Sequence, residues 1–64
     1  MDNNIYRVIL QREMTQASLA QMVGVKREYI NRIINRKVTP TVPLGMRIAK
    51  AIKVPMEDLF VIES

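Results

Sequence analysis

Between Lys26 and Lys37 the chain carries five cations, Lys26, Arg27, Arg32, Arg36 and Lys37, against one acid, Glu28. The remaining residues hold five basic and five acidic side chains, so the whole formal surplus of +4 sits on this segment. One sign of charge concentrated in an otherwise balanced chain is the footprint of a polyanion-binding surface. A solvated helix face is the plainer alternative for any basic stretch taken alone. Covalent chemistry has little to work with. The chain has no histidine and no cysteine, its only serines are Ser18 and Ser64, and no two carboxylates are placed to share a cleft, so an enzyme is not expected. Without His or Cys, only carboxylates remain as side-chain metal ligands, and these favour hard cations over zinc. No cofactor is expected.

The elements that must carry the basic segment are helical. Asn3 or Asn4 can cap a first helix in which Ile5, Val8 and Ile9 share a face, with Arg7 and Arg12 largely outside that stripe. Thr15 offers a second N-cap, and Leu19, Ala20 and Val23 form the next apolar face. Gly24 follows where a helix ending in a left-handed residue wants glycine. A third helix from about Lys26 to Ile34 turns Ile30, Ile33 and Ile34 inward and Arg27, Glu28, Asn31 and Arg32 outward. Pro40 stops any continuation. Thr41 can cap a fourth helix, in whose first turn Pro43 has no hydrogen bond to lose. Leu44, Ile48, Ala49 and Ile52 make its buried stripe, while Arg47, Lys50 and Lys53 stay wet. Pro55 opens a last short helix through Phe60, with Glu57 and Asp58 at the end its dipole favours. Only Phe60-Val61-Ile62 could extend, and so short a strand is not stable without a partner.

Sixty-four residues predict a single domain spanning 1–64, and a chain this short buries only about 60% of its unfolded surface. The 48% apolar content is too high for a disordered chain. No apolar run approaches the roughly 18 residues a membrane span needs. The start, Met-Asp-Asn-Asn, lacks the basic and apolar stretches of a signal peptide, so a cytoplasmic location is expected. Met14, Met22, Met46 and Met56 read as core or interface filler.

Two short helices joined by a tight glycine turn meet at a wide angle, so the second can project from the body. A projecting helix fits the major groove of DNA while its partner braces across the backbone. Thr15-Gln16-Ala17-Ser18-Leu19-Ala20-Gln21-Met22-Val23-Gly24-Val25 resembles the first half of the helix-turn-helix in Cro- and lambda-repressor-type regulators, the XRE family. Pro40, Leu44, Ile48-Ala49-Lys50-Ala51-Ile52, Val54 and Asp58-Leu59-Phe60 are similar to that family's fourth and fifth helices. The resemblance covers nearly the whole chain. It implies an all-α fold, a compact five-helix bundle of the phage-repressor type with at most a very short C-terminal extended segment, whose helix-turn-helix spans about residues 16–34.

The resemblance also implies roles. Gln16 bonds a phosphate, with Thr15 beside it; Lys26, Arg27, Glu28 and Arg32 reach base edges, joined by Asn31 on the same outward face. Asn35, Arg36 and Lys37 hold the backbone just past the recognition helix. Arginine can bond guanine with two hydrogen bonds, and glutamate can accept from cytosine N4. Each role has a plainer competitor. Glu28 and Arg32, four apart, can simply pair; Tyr29 can touch phosphate or merely cover the turn; Gln16 can be an ordinary early helical residue. Departures from the family stand out as well. Lys26 replaces the usual Ser or Thr cap, Ser18 replaces the Glu that would close a capping box with Thr15, and Arg36 replaces a frequent glycine. Ile9 and Ile34 stand where many relatives carry a buried Arg–Glu pair, a double swap that is often neutral or stabilising.

The resulting expectation is a sequence-specific regulator of transcription, a repressor rather than an activator. It would bind double-stranded DNA at a palindromic operator as a homodimer, with Phe60, Val61 and Ile62 as interface candidates and no membrane or small-molecule partner. The competing reading is an antitoxin or immunity protein using the same fold to neutralise another protein. Such chains often carry an extra segment, and this one ends soon after Phe60.

Overall fold

The computed structural model describes residues 2–61 and runs β1 (Asp2–Asn3), α1 (Ile5–Gln11), α2 (Gln16–Val23), α3 (Arg27–Ile34), α4 (Val42–Ile52), α5 (Met56–Leu59) and β2 (Phe60–Val61). The fold is all-helical, with five helices among the described residues, and one short antiparallel pair joins the two ends. In that pair Asp2 faces Val61 and Asn3 faces Phe60. This supplies the partner that a short extended C-terminal segment needs. It also ends α5 at Leu59, one residue before the expected Phe60, whose backbone is extended at φ −112° and ψ 127°. Asn4 N–H donates to the Leu59 carbonyl at 2.9 Å and Asn4 Nδ2 to the Asp58 carbonyl at 3.0 Å, so the closure extends one residue beyond the pair.

Asn3 does more than cap. Its Oδ1 accepts from Ile5 N–H at 3.2 Å, and its Nδ2 donates to the Ile33 carbonyl at 2.8 Å, tying the start of α1 to the last turn of α3. That carbonyl is one of the last four of a helix, which have no partner within it.

The core is one cluster, with Ile5, Val8 and Ile9 from α1, Leu19, Ala20 and Val23 from α2, and Ile30 and Ile33 from α3. α4 adds Leu44, Ile48, Ala49 and Ile52, and Leu59 and Phe60 complete it. Every helical face expected from the 3.6-residue period is thus turned inward. Ile34 is only half-buried, packed at the edge of the same cluster to which the buried Ile9 belongs. Gly45 is a buried α4 position the period does not single out. A Cβ there would stand 3.2 Å from Met56 Cε and 3.4 Å from Phe60 Cε2, so the absent side chain lets the C-terminal segment lie close to α4.

The helix ends show why the chain turns where it does. Thr15 Oγ1 accepts from Ser18 N–H at 3.0 Å and Ser18 Oγ accepts from Thr15 N–H at 3.1 Å, a complete capping box. The expected loss of the box is therefore corrected. A serine hydroxyl returns the bond a glutamate usually makes, and donates to the Thr15 carbonyl as well. Gly24 takes φ 79°, and both its N–H and that of Val25 reach the Ala20 carbonyl, at 2.9 and 3.0 Å. Thr41 caps α4 with a side chain that accepts from Leu44 N–H. Arg12 was expected to be a solvated cation, but its guanidinium donates to the carbonyls of Ile52 and Lys53 at the end of α4. A cation there meets the negative end of the helix dipole.

Candidate nucleic-acid interface

α3 is held from below and left open above. Ile30 and Ile33 anchor it in the core, while Arg27, Glu28, Asn31 and Arg32 are exposed on the opposite side. Lys26 is its N-cap by position only, with no side-chain capping bond, so its ammonium is not held by the helix it precedes. Glu28 in the first turn and Arg32 in the last suit the helix dipole. Glu28 pairs with Arg27 at 4.0 Å rather than with Arg32, and both partners are more than half exposed, at 66% and 59%. An ion pair this open and this long is worth about 0–1 kcal/mol, too little to keep Arg27 from a stronger acceptor.

Beyond α3 the chain makes a tight turn. Asn35 closes the helix, Arg36 follows in the left-handed region at φ 62°, and Lys37 N–H returns to the Arg32 carbonyl at 2.9 Å. The family's frequent glycine thus has a conformational reason, and this chain takes the same backbone path with an arginine. The turn places exposed Arg36 and Lys37 directly after the recognition helix.

On the α2 side, Thr15 caps the helix and Gln16 is its first residue, half-buried. Asn31 Nδ2 donates to Gln16 Oε1 at 3.2 Å, joining the start of α2 to the middle of α3. Asn35 Nδ2 donates to both the carbonyl oxygen and the Oδ1 of Asn31, at 2.9 and 3.2 Å. Tyr29 is half-buried against the core and, with Val25, floors a shallow notch whose walls are Lys26, Glu28 and Arg32. The three nominated interface residues do not gather. Phe60 is only 5% exposed and belongs to this chain's own core, so its ring is unavailable as an interface anchor; Val61 lies in β2, and Ile62 falls outside the described residues.

The geometry is that of two short helices joined at a left-handed glycine, the second projecting a basic face and followed by a basic turn. Residues 5–59 match the model of a helix-turn-helix family, which takes in all five helices. The chain belongs to the XRE-type helix-turn-helix family. It is 40% identical over 50 residues to a protein of Archaeoglobus fulgidus described as an uncharacterized HTH-type transcriptional regulator, a match covering 78% of this chain and 71% of the relative. A second protein of that organism, similarly described, is 38% identical over 50 residues, with 78% and 70% covered. An uncharacterized HTH-type transcriptional regulator of Methanocaldococcus jannaschii is 40% identical over 50 residues, with 78% and 76% covered. XRE-type chains are thus similar to this one across every helix, and these relatives are described as regulators rather than enzymes. Among the described residues no helix is long and apolar enough to cross a membrane.

Two features of the interface were not read in the sequence. The Gln16–Asn31–Asn35 chain of amides needs the angle between α2 and α3 to be known, although the i, i+4 spacing of Asn31 and Asn35 was visible. Arg12 is withdrawn from any anion-binding surface by carbonyls 40 and 41 residues away, which no local pattern marks.

Proposed function

We propose that this chain is a sequence-specific double-stranded DNA-binding regulator of transcription, acting in the cytoplasm as a homodimeric repressor with α3 in the major groove. One observation carries the reading: the entire +4 surplus lies on the exposed face of α3 and the turn after it, on a helix fixed to the core by Ile30 and Ile33. A helix so presented fits the groove, and its cations replace counterions along the phosphates. Arg27 and Arg32 are the guanine readers, Glu28 an acceptor for cytosine N4, and Lys26 a further base-edge donor. Gln16, Thr15, Tyr29, Arg36 and Lys37 position the domain on phosphate and carry no sequence information. Thr15 keeps its hydroxyl hydrogen for this purpose, since its oxygen is the acceptor in the capping box.

A single α3 touches too few base pairs for high specificity, so two copies on half-sites about one helical turn apart are expected, with the palindrome mirroring the protein's two-fold axis. With Phe60 committed to the core, Val61 and Ile62 remain the interface candidates. Selection of bound duplexes from a random pool tests the proposal. The expected outcome is a palindromic consensus with half-site centres about 10 base pairs apart. Recovery of unenriched sequence, or of single-stranded nucleic acid in preference to duplex, would overturn it.

A further inference from the structure

We propose that Asn31, although it lies on the outward face of the recognition helix among the base-reading side chains, reads no base: it is a positioning residue that aims the Gln16 amide at a DNA phosphate. The inference deepens the DNA-binding reading and rests on it.

A carboxamide reads adenine by using its oxygen as acceptor and its amino group as donor at the same time. In Asn31 both ends are engaged within the chain. Nδ2 donates to Gln16 Oε1 at 3.2 Å, and Oδ1 accepts from Asn35 Nδ2 at 3.2 Å. Asn35 is in turn held by a second bond from the same nitrogen to the Asn31 carbonyl oxygen at 2.9 Å, four residues back along the helix. The three amides form a directed chain from the end of α3 to the first residue of α2, every link running donor to acceptor towards Gln16. Direction matters at the last link. Because Gln16 Oε1 is the acceptor, the end of that amide left over is Nε2, which makes no hydrogen bond among the described residues. An amino group carries two donors and no acceptor, the chemistry that suits a phosphate oxygen and not a base edge that must be discriminated. Without Asn31 the Gln16 amide can turn either end outward, and the carbonyl end repels a phosphate. Gln16 also sits at the start of α2, where unpaired backbone N–H groups favour an anion nearby.

The test measures affinity by fluorescence anisotropy for a duplex selected from a random pool and for single-base-pair variants of it, using the whole chain. Asn31→Ala should weaken every duplex by a similar factor, about 3- to 10-fold as one hydrogen bond dictates, and leave the order of base preference unchanged. Gln16→Ala should do the same. The double variant should lose little more than Gln16→Ala alone, since the two act through one contact. Asn35→Ala, which frees Asn31 without touching either partner of the Gln16 link, should show a smaller loss in the same direction. In the free protein, nuclear Overhauser contacts should join the Asn31 and Gln16 side-chain amides and disappear in Asn31→Ala. A change of preference at one base pair on Asn31→Ala, additive losses in the double variant, or absence of the amide contact in the free protein would each overturn the inference while leaving DNA binding intact. Failure of the unmodified chain to bind any duplex would instead overturn the reading beneath it.

Discussion

Replacing Arg36 by glycine should stabilise the protein and weaken its hold on DNA. Arg36 adopts φ 62° in the turn that ends α3. For an L-residue this region costs about 1–2 kcal/mol, because Cβ crowds the following carbonyl oxygen. Glycine removes that penalty but gives back about 0.5–1 kcal/mol through its greater freedom in the unfolded chain. The expected net gain is therefore about 0.5–1 kcal/mol. For 64 residues the unfolding entropy is about 0.13 kcal/mol/K, so the gain corresponds to a rise in Tm of about 4–7 °C. Loss of the guanidinium itself has to be separated from this backbone effect. Arg36→Ala provides the control, since it deletes the same side chain and keeps the strain. Thermal unfolding followed by far-ultraviolet circular dichroism should place Arg36→Gly above Arg36→Ala by that margin. Both variants should bind DNA more weakly than the unmodified chain and to a similar degree. Equal melting temperatures for the glycine and alanine variants would refute the argument, because they differ only in what the backbone at φ 62° permits.

Three further perturbations test the scaffold. Gly24→Ala should cost about 1 kcal/mol through φ 79° alone, since an added Cβ meets nothing within 4 Å; a loss above about 3 kcal/mol in a denaturant melt would point to a clash the geometry does not contain. Arg12→Ala should lower stability by about 1 kcal/mol by exposing the α4 end carbonyls, yet leave the salt dependence of DNA binding unchanged; a reduced salt slope would place Arg12 on the DNA instead. Ile34→Glu should cost about 1–3 kcal/mol, moderated because the site is half-buried, and addition of Ile9→Arg should recover part of that loss. A double variant less stable than the sum of the two single losses would show that these positions do not face a common space.

Much of this fold is visible in short-range chemistry. Thr15, Gly24, Pro40, Thr41 and Pro55 each act within four residues of themselves, through caps, a left-handed turn or a missing N–H, and the apolar faces between them follow the helical period. What escapes this reading is non-local or turns on an exception to a rule. The pairing of Asp2–Asn3 with Phe60–Val61 joins the two ends of the chain through two residues each, too few for an alternating pattern. Phe60 looks like a surface hydrophobe near the C-terminus until Gly45 is seen to make room for its ring. Ser18 looked like a lost glutamate because the usual box was sought by residue type, whereas any short acceptor in reach of Thr15 N–H closes it. Within the interface, residue type and charge located α3 and its basic turn. The side-chain amides behaved differently. Asn31 stands where a base reader could stand, and only its hydrogen bonds to Gln16 and Asn35 show that its two ends are already engaged.

The most direct test of the central claim is the slope of log affinity against log salt for a selected duplex, measured on the unmodified chain and on Arg36→Ala/Lys37→Ala. If α3 and its turn neutralise about 4–6 phosphates per bound chain, the unmodified slope should lie near −4 to −5, each phosphate contributing about 0.9. Removal of two phosphate-contacting cations should make the slope shallower by about two units, with the preferred sequence unchanged. A flat salt response, or a slope unaltered by the double substitution, would contradict the assignment of this face as the DNA-binding surface.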